Sequence, residues 1–286
     1  MRHNIIGIDV GGSHITLSQV DTEKKELISS SYVREHIDSF GKKEQIFEDW
    51  VAAINKAIEG LEKETLLLGI AMPGPFDYEN GISLMLQGKF MDIYQVNIKE
   101  VLAERLSLSQ DQIYFVNDAA AFLEGELYGG CVQGYKRVFG ITLGTGLGTT
   151  FFKGEFSTDE DLWNSPFRDS ICEDYLATRW FVKRYKQLTG ETITGTKDLY
   201  EKPQELQAQM FEEYAESLGE FIVKYVKYYD PEAIVLGGNI TKAYPLYQEK
   251  LQEYLEENDI HVKIEISKIF EDAAILGAAS FAIKSQ

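Results

Sequence analysis

The arrangement that most restricts this chain is a pair of short apolar runs joined by glycines, met once at the start and again near the middle. Residues 4–10 and 15–20 flank Gly11-Gly12, and residues 138–143 and 149–153 flank Gly144-Thr145-Gly146-Leu147-Gly148. Apolar runs bounded by glycine predict strands, and the glycines between them predict tight turns. Strands are also expected over 29–34, 66–71, 113–116 and 233–236. Ile46, Trp50, Ala53, Ile54 and Ile58 recur at helical spacing and predict a helix over 43–61. Further helices are expected over 173–188 and 204–229, with an Ala-rich closing helix over 272–283. The order is mixed α/β in two halves, as an internal duplication would leave. A chain of 286 residues can supply both halves with a core. The expected domains are 1–117 plus 273–286, and 118–272.

The glycine turns carry a chemical possibility. Glycine adopts positive φ and has no Cβ, so successive N–H groups can converge on phosphate oxygens. Taken singly, each loop reads first as an ordinary hairpin turn. Taken together, with Asp9 ending one strand and the hydroxyls of Ser13 and Thr145 in the turns, they suit a metal-bound triphosphate. The second loop is neither a Walker A sequence nor a GxGxxG that opens a helix, which disfavours P-loop and dinucleotide-binding folds.

A formal net charge of -18 would repel nucleic-acid phosphates, so DNA and RNA are not expected partners. It also means that any triphosphate needs backbone N–H groups and a cation to supply local positive potential. No apolar run approaches the roughly 20 residues that span a bilayer, so no membrane association is expected. The first strand starts at Asn4, which leaves the expectation of no secretion leader. Cys131 and Cys172 form neither a disulfide framework nor a metal-ligand pair, and a reducing, cytoplasmic location fits both observations.

Asn117-Asp118 ends an apolar strand where Ala119-Ala120-Ala121 would begin a helix. Either residue could simply cap that helix, or Asp118 could accept the proton of an attacking hydroxyl. Gly237-Gly238 after residues 233–236 reads as a strand-to-helix turn or as a surface for a flat adenine. Glu173 by itself reads as a first-turn helix acid.

In order and spacing, Asp9-Val10-Gly11-Gly12-Ser13, Pro73-Gly74-Pro75, Val116-Asn117-Asp118-Ala119-Ala120, Leu143 to Gly148 and Leu236-Gly237-Gly238 together resemble the ROK family of sugar kinases and repressors. The resemblance covers nearly the whole chain. It implies two RNase H-like α/β domains of the actin-like ATPase fold, with ATP and magnesium held between them and the γ-phosphate passed to a sugar hydroxyl. By that resemblance Asp118 is the catalytic base. Asp9 attends the magnesium, and Gly11, Gly12, Ser13, Gly144, Thr145 and Gly146 hold phosphate. Gly237 and Gly238 border the adenosine. Gly74, Asn117, Asp118, Asp161, Asn164 and Glu173 face the sugar.

The chain departs from the family pattern where a Glu-x-Gly-His motif and a cysteine-rich zinc loop usually stand. Asp161 and Asn164 occupy the Glu and His places, and the zinc cysteines are missing, so no structural zinc is expected. The expected activity is ATP-dependent phosphorylation of a hexose or N-acetylhexosamine. The altered pair also leaves open a sugar- or nucleotide-sensing protein without turnover. Family members are often homodimers, and the apolar-faced helices of the second half are available for an interface.

Overall fold

The structure, a computed structural model, describes residues 3–286. The chain divides into two compact units. Unit one takes the chain up to Gln133 with Phe156–Thr158 and Glu271–Gln286, and unit two takes Gly134–Glu155 and Asp159–Phe270.

Unit one is built on β1 (Asn4–Val10), β2 (His14–Asp21), β3 (Glu26–Leu27), β4 (Val33–His36), β5 (Leu66–Met72) and β8 (Ile113–Asn117), in the order β3-β2-β1-β5-β8 with β4 also on β2. A small hairpin of β6 (Phe76–Asp77) and β7 (Ile82–Ser83) follows β5. β1 and β2 form an antiparallel hairpin, whereas β1, β5 and β8 run parallel. Alternate residues of a strand face opposite sides. Ile6 and Ile8 therefore cluster with Phe47, Trp50 and Ile54 of α1 (Lys43–Ala57) and Leu102 of α2 (Ile98–Leu106). Gly7 and Gly69 point the other way, where α8 (Asp272–Lys284) lies directly on the sheet. A Cβ on Gly69 would come 1.9 Å from the Ala278 carbonyl oxygen, so only glycine admits this approach. The Ala-rich closing helix exists because small residues let it lie that close.

The compact units divide after Gln133 rather than at 117, since α3 (Asp118–Tyr128) stays with unit one. Ala120 and Ala121 of α3 pack with Ala278 of α8 around Ala71 and Val116, a contact that periodicity along the chain does not reveal.

Unit two repeats the first motif. β9 (Arg137–Leu143) and β10 (Leu147–Lys153) form an antiparallel hairpin around a glycine turn, and β9 runs parallel to β14 (Ala233–Gly237), which pairs with β15 (Lys263–Ile266). The chain passes between the units on either side of Phe156–Thr158, within which β11 (Ser157–Asp159) begins. A short hairpin of β12 (Pro166–Phe167) and β13 (Ser170–Ile171) leads into the helices. Phe139 of β9 stacks at 5.2 Å on Tyr229 of α6 (Gln204–Tyr229), and Phe221 of the same helix lies 6.3 Å away. α7 (Gln248–Glu257) completes the layer with buried Leu251 and Leu255.

The helix expected over 173–188 is two helices, α4 (Cys172–Leu176) and α5 (Thr178–Thr189). Ala177 between them is extended, at φ -103° and ψ 172°. The next residue explains the break: both the N–H and the Oγ1 of Thr178 donate to the Gly144 carbonyl at 2.8 Å, which draws the chain out of helical geometry. No helix among the described residues is long and apolar enough to cross a membrane.

Candidate active site

In unit one the parallel register sets the site. Asp9 pairs with Ala71, and Met72 pairs with Asn117. The ends of β1, β5 and β8 therefore bring Asp9, Pro73-Gly74 and Asn117-Asp118 to one edge of the sheet, across two strand spacings or about 10 Å. Ligands of open α/β sheets bind at the carboxyl ends of the strands, which is this edge. The glycine hairpin closes with the Gly11 N–H on the His14 carbonyl at 2.9 Å, and the Ser13 carbonyl accepts the Ile37 N–H at 2.9 Å.

Asn117 and Asp118 take separate parts. Asn117 is the cap of α3: its Oδ1 accepts the Ala120 N–H at 3.0 Å and its Nδ2 donates to the Tyr78 hydroxyl at 3.2 Å. Tyr78 in turn donates to the Met72 carbonyl at 3.1 Å, which ties the end of β5 to the end of β8. With the cap role taken, Asp118 is an exposed first-turn residue whose Oδ1 accepts the neighbouring Ala119 N–H at 2.9 Å. Surrounding protein pushes the Asp118 carboxyl above its ordinary value. The N–H groups of Ala119 and Asp118 and the Lys89 ammonium oppose that push.

Asp9 is pushed up to about 7, first by burial and then by the carboxylates of Asp118 and Glu271, with Arg34 opposing. Arg34 is itself held by Glu271 at 2.8 Å. A carboxyl so crowded by like charge is one that a bound cation relieves. Among the described residues no three His, Cys, Asp or Glu are gathered as a metal-binding group. Magnesium carried by a nucleotide asks for only one or two carboxylates, the phosphates and water supplying the rest. Asp9 beside a glycine hairpin fits that requirement.

In unit two the second and third glycine segments abut. Gly237 pairs with Thr142, and Gly238, at φ 86°, sits so close that a Cβ would come 2.4 Å from the Leu143 carbonyl oxygen. The turn itself is narrow, with the Gly144 N–H on the Gly146 carbonyl at 3.1 Å, and Thr145 at its tip is exposed. A Cβ on Gly144 would meet nothing within 4 Å, so space adjoins the loop there.

Glu173 belongs to this loop. Its Oε2 accepts the Leu147 N–H at 2.9 Å, its Oε1 accepts from Arg179, and a Cβ on Gly146 would lie 2.8 Å from Oε2. Asp161 and Asn164 bound an exposed 3-10 turn (Leu162–Asn164), with Asp161 at φ 50°. The Asp161 Oδ1 accepts the Trp163 indole N–H at 2.5 Å, and the turn is tied to β10 by the Leu162 N–H on Thr149 Oγ1 at 3.1 Å.

Two features lie outside the sequence expectations. One is the hold of Glu173 on the second glycine loop, which no local pattern signals. The other is Lys89, a lone lysine after Gly88, whose side chain lies along Gly12: a Cβ there would come 2.2–2.4 Å from Lys89 Cε, Nζ and Cδ.

Residues 5–157 and 168–285 match the family model of the ROK family. A glucokinase of Thermotoga maritima is 24% identical over 313 aligned residues, covering 96% of this chain and 96% of the relative. An N-acetyl-D-glucosamine kinase of Photobacterium profundum is 26% identical, covering 97% of this chain and 99% of its own. A ROK family glucokinase from Streptomyces griseus, solved in complex with glucose and AMPPNP, aligns with a TM-score of 0.76 at 22% identity over 97% of this chain and 98% of that one. The fold is the two-domain α/β fold of the actin-like ATPases.

Proposed function

The chain belongs to the ROK family, and from that membership we propose that it transfers the γ-phosphoryl group of ATP to a hydroxyl of a hexose or N-acetylhexosamine. The observation that supports this best is the division of labour at the start of α3. Asn117 satisfies the helix end, and Asp118 remains an exposed carboxyl at the ends of three parallel strands. In this reading Asp118 accepts the proton of the attacking sugar hydroxyl. Its carboxyl is raised above the ordinary value, first by burial, which makes it a stronger base than a free aspartate. In the two glycine hairpins the Gly11 and Gly144 N–H groups close the turns, and those of Gly12, Thr145 and Gly146 receive phosphate oxygens, with the Ser13 and Thr145 hydroxyls beside them. Gly237 and Gly238 present bare backbone to the adenosine.

Magnesium bound with the nucleotide would neutralise phosphate charge, and Asp9 is the residue that would hold it. Gly74, Asn117, Asp161, Asn164 and Glu173 are the proposed sugar-facing set. The N-acetylhexosamine option follows from relatives such as the Photobacterium kinase, and the hexose option from the Thermotoga glucokinase.

A second reading has one observation in its favour. Asp161 is engaged by Trp163, and Glu173 by Leu147 and Arg179, so two of the proposed sugar-facing carboxylates are already bonded within the chain. A protein that binds sugar or nucleotide without turnover would tolerate this.

ADP release coupled to a panel of hexoses, hexosamines and N-acetylated sugars, run beside Asp118→Asn, separates the two. Sugar-dependent release that falls at least a thousandfold in the variant, with ADP affinity retained, is the expected result. Sugar binding by calorimetry with no ADP release from the unaltered protein would establish the second reading instead.

A further inference from the structure

Lys89 is a cation at the phosphate end of unit one that the mechanism above leaves idle. It lies between Gly88, at φ 77°, and Phe90, at φ 59°. Phe90 is wholly buried with its ring 5.6 Å from that of Trp50, and its N–H donates to the Ser39 carbonyl at 2.7 Å. The backbone beside Lys89 is thus fastened to the core, and the lysine projects from a fixed point. Its stem and ammonium occupy the volume that a side chain at position 12 would fill. The ammonium also acts electrostatically on Asp118. A surface lysine with no task extends into water to keep its ammonium hydrated. This one is exposed, yet its side chain lies along Gly12 of the first glycine hairpin. No ion-pair partner stands within 4 Å of it among the described residues, although Asp9, Asp118 and Glu271 crowd this edge.

We propose that Lys89 is a catalytic residue whose ammonium receives the terminal phosphoryl group at the Gly11-Gly12 hairpin and stabilises its charge during transfer. The proposal rests on the kinase reading above. In the balanced step the sugar oxygen forms a bond to the γ-phosphorus and the bond from that phosphorus to the β,γ-bridging oxygen breaks. ADP leaves with the electron pair, and the hydroxyl proton passes to Asp118. Lys89 contributes only electrostatics, as cations placed on transferring phosphoryl groups do. A γ-phosphate is present in ATP and AMPPNP and absent in ADP, so the residue should tell these nucleotides apart.

The test measures AMPPNP and ADP affinities by calorimetry in magnesium buffer, without sugar, for the unaltered protein, Lys89→Met and Lys89→Arg. Methionine keeps the unbranched apolar stem over Gly12, and urea midpoints confirm that the variants fold. Expected are an AMPPNP affinity lowered at least tenfold in Lys89→Met, an ADP affinity within twofold of the original, and partial recovery of AMPPNP affinity in Lys89→Arg. Steady-state turnover of Lys89→Met should fall by at least about 10-fold with the sugar KM unchanged, cations on the transferring phosphoryl group being worth up to about 10³- to 10⁵-fold in kcat. Equal losses for both nucleotides would show that Lys89 only props the hairpin, and unchanged values would show that it does nothing there; either result overturns the proposal. If the unaltered protein releases no ADP with any sugar yet Lys89→Met still discriminates AMPPNP from ADP, the kinase reading falls while the phosphate contact stands.

Discussion

Replacing Glu173 separates a sugar contact from a loop support, because the structure gives this carboxylate a second task. Its Oε2 accepts the N–H of Leu147, a residue only 5% exposed, at 2.9 Å. Glu173→Ala leaves that N–H without its partner, which costs about 1–3 kcal/mol for a buried donor. The ion pair with Arg179 adds little: Arg179 is 51% exposed, and pairs so wetted contribute about 0–1 kcal/mol. The sum predicts a loss of about 1–4 kcal/mol in urea denaturation for Glu173→Ala. Glu173→Gln keeps an acceptor oxygen and should lose about 1 kcal/mol. The Gly144 to Gly146 turn would then be less ordered before nucleotide arrives. If about 1 kcal/mol of ordering is deferred to binding, ADP affinity in Glu173→Ala falls about fivefold. Denaturation midpoints and ADP calorimetry, both without sugar, are the assays. A variant that keeps its stability and its ADP affinity while only the sugar KM rises would refute the reasoning and return Glu173 to a purely sugar-facing role.

Two other perturbations follow from the geometry of unit one. Asp9 is raised from 3.8 to about 7 in the folded protein, so the metal-free fold holds a proton that the unfolded chain has released, and stability falls as pH rises from about 4 to about 7. In chelator, Asp9→Asn should be the more stable protein at pH 8 by about 2–4 kcal/mol, allowing for the part-exposed side chain, and should show no advantage below pH 4; thermal melts across that range that run parallel would contradict it. Gly69→Ala would drive a methyl into the Ala278 carbonyl, where backbone meets backbone and neither can yield. A loss of about 3 kcal/mol or more in the urea midpoint is expected, and a change under about 0.5 kcal/mol would mean that α8 does not lie as described.

Much of unit one and unit two was legible along the chain because strands and helices announce themselves by local period. The hairpins around Gly11-Gly12 and Gly144 to Gly146, the long α6 and the Ala-rich α8 all fall where apolar spacing and glycine place them. Even the fork at Asn117-Asp118, cap or base, was visible as a fork. What it could not resolve was which residue caps α3, since that depends on Tyr78 reaching Asn117 from a loop 39 residues earlier in the chain.

The sequence by itself determined the chemistry on offer: an acidic chain with two glycine hairpins and an aspartate at a helix start. Only the tertiary structure decided how those parts are held. The break at Ala177 comes from Thr178 bonding to Gly144. α3 joins unit one because Ala120 and Ala121 pack with Ala278. Glu173 supports a glycine loop 26 residues before it, and Lys89 lies over Gly12. Each of these is a contact between segments remote in sequence. A hydrogen bond or a close approach carries no periodicity of its own, so it becomes readable only once the chain has brought its two partners together.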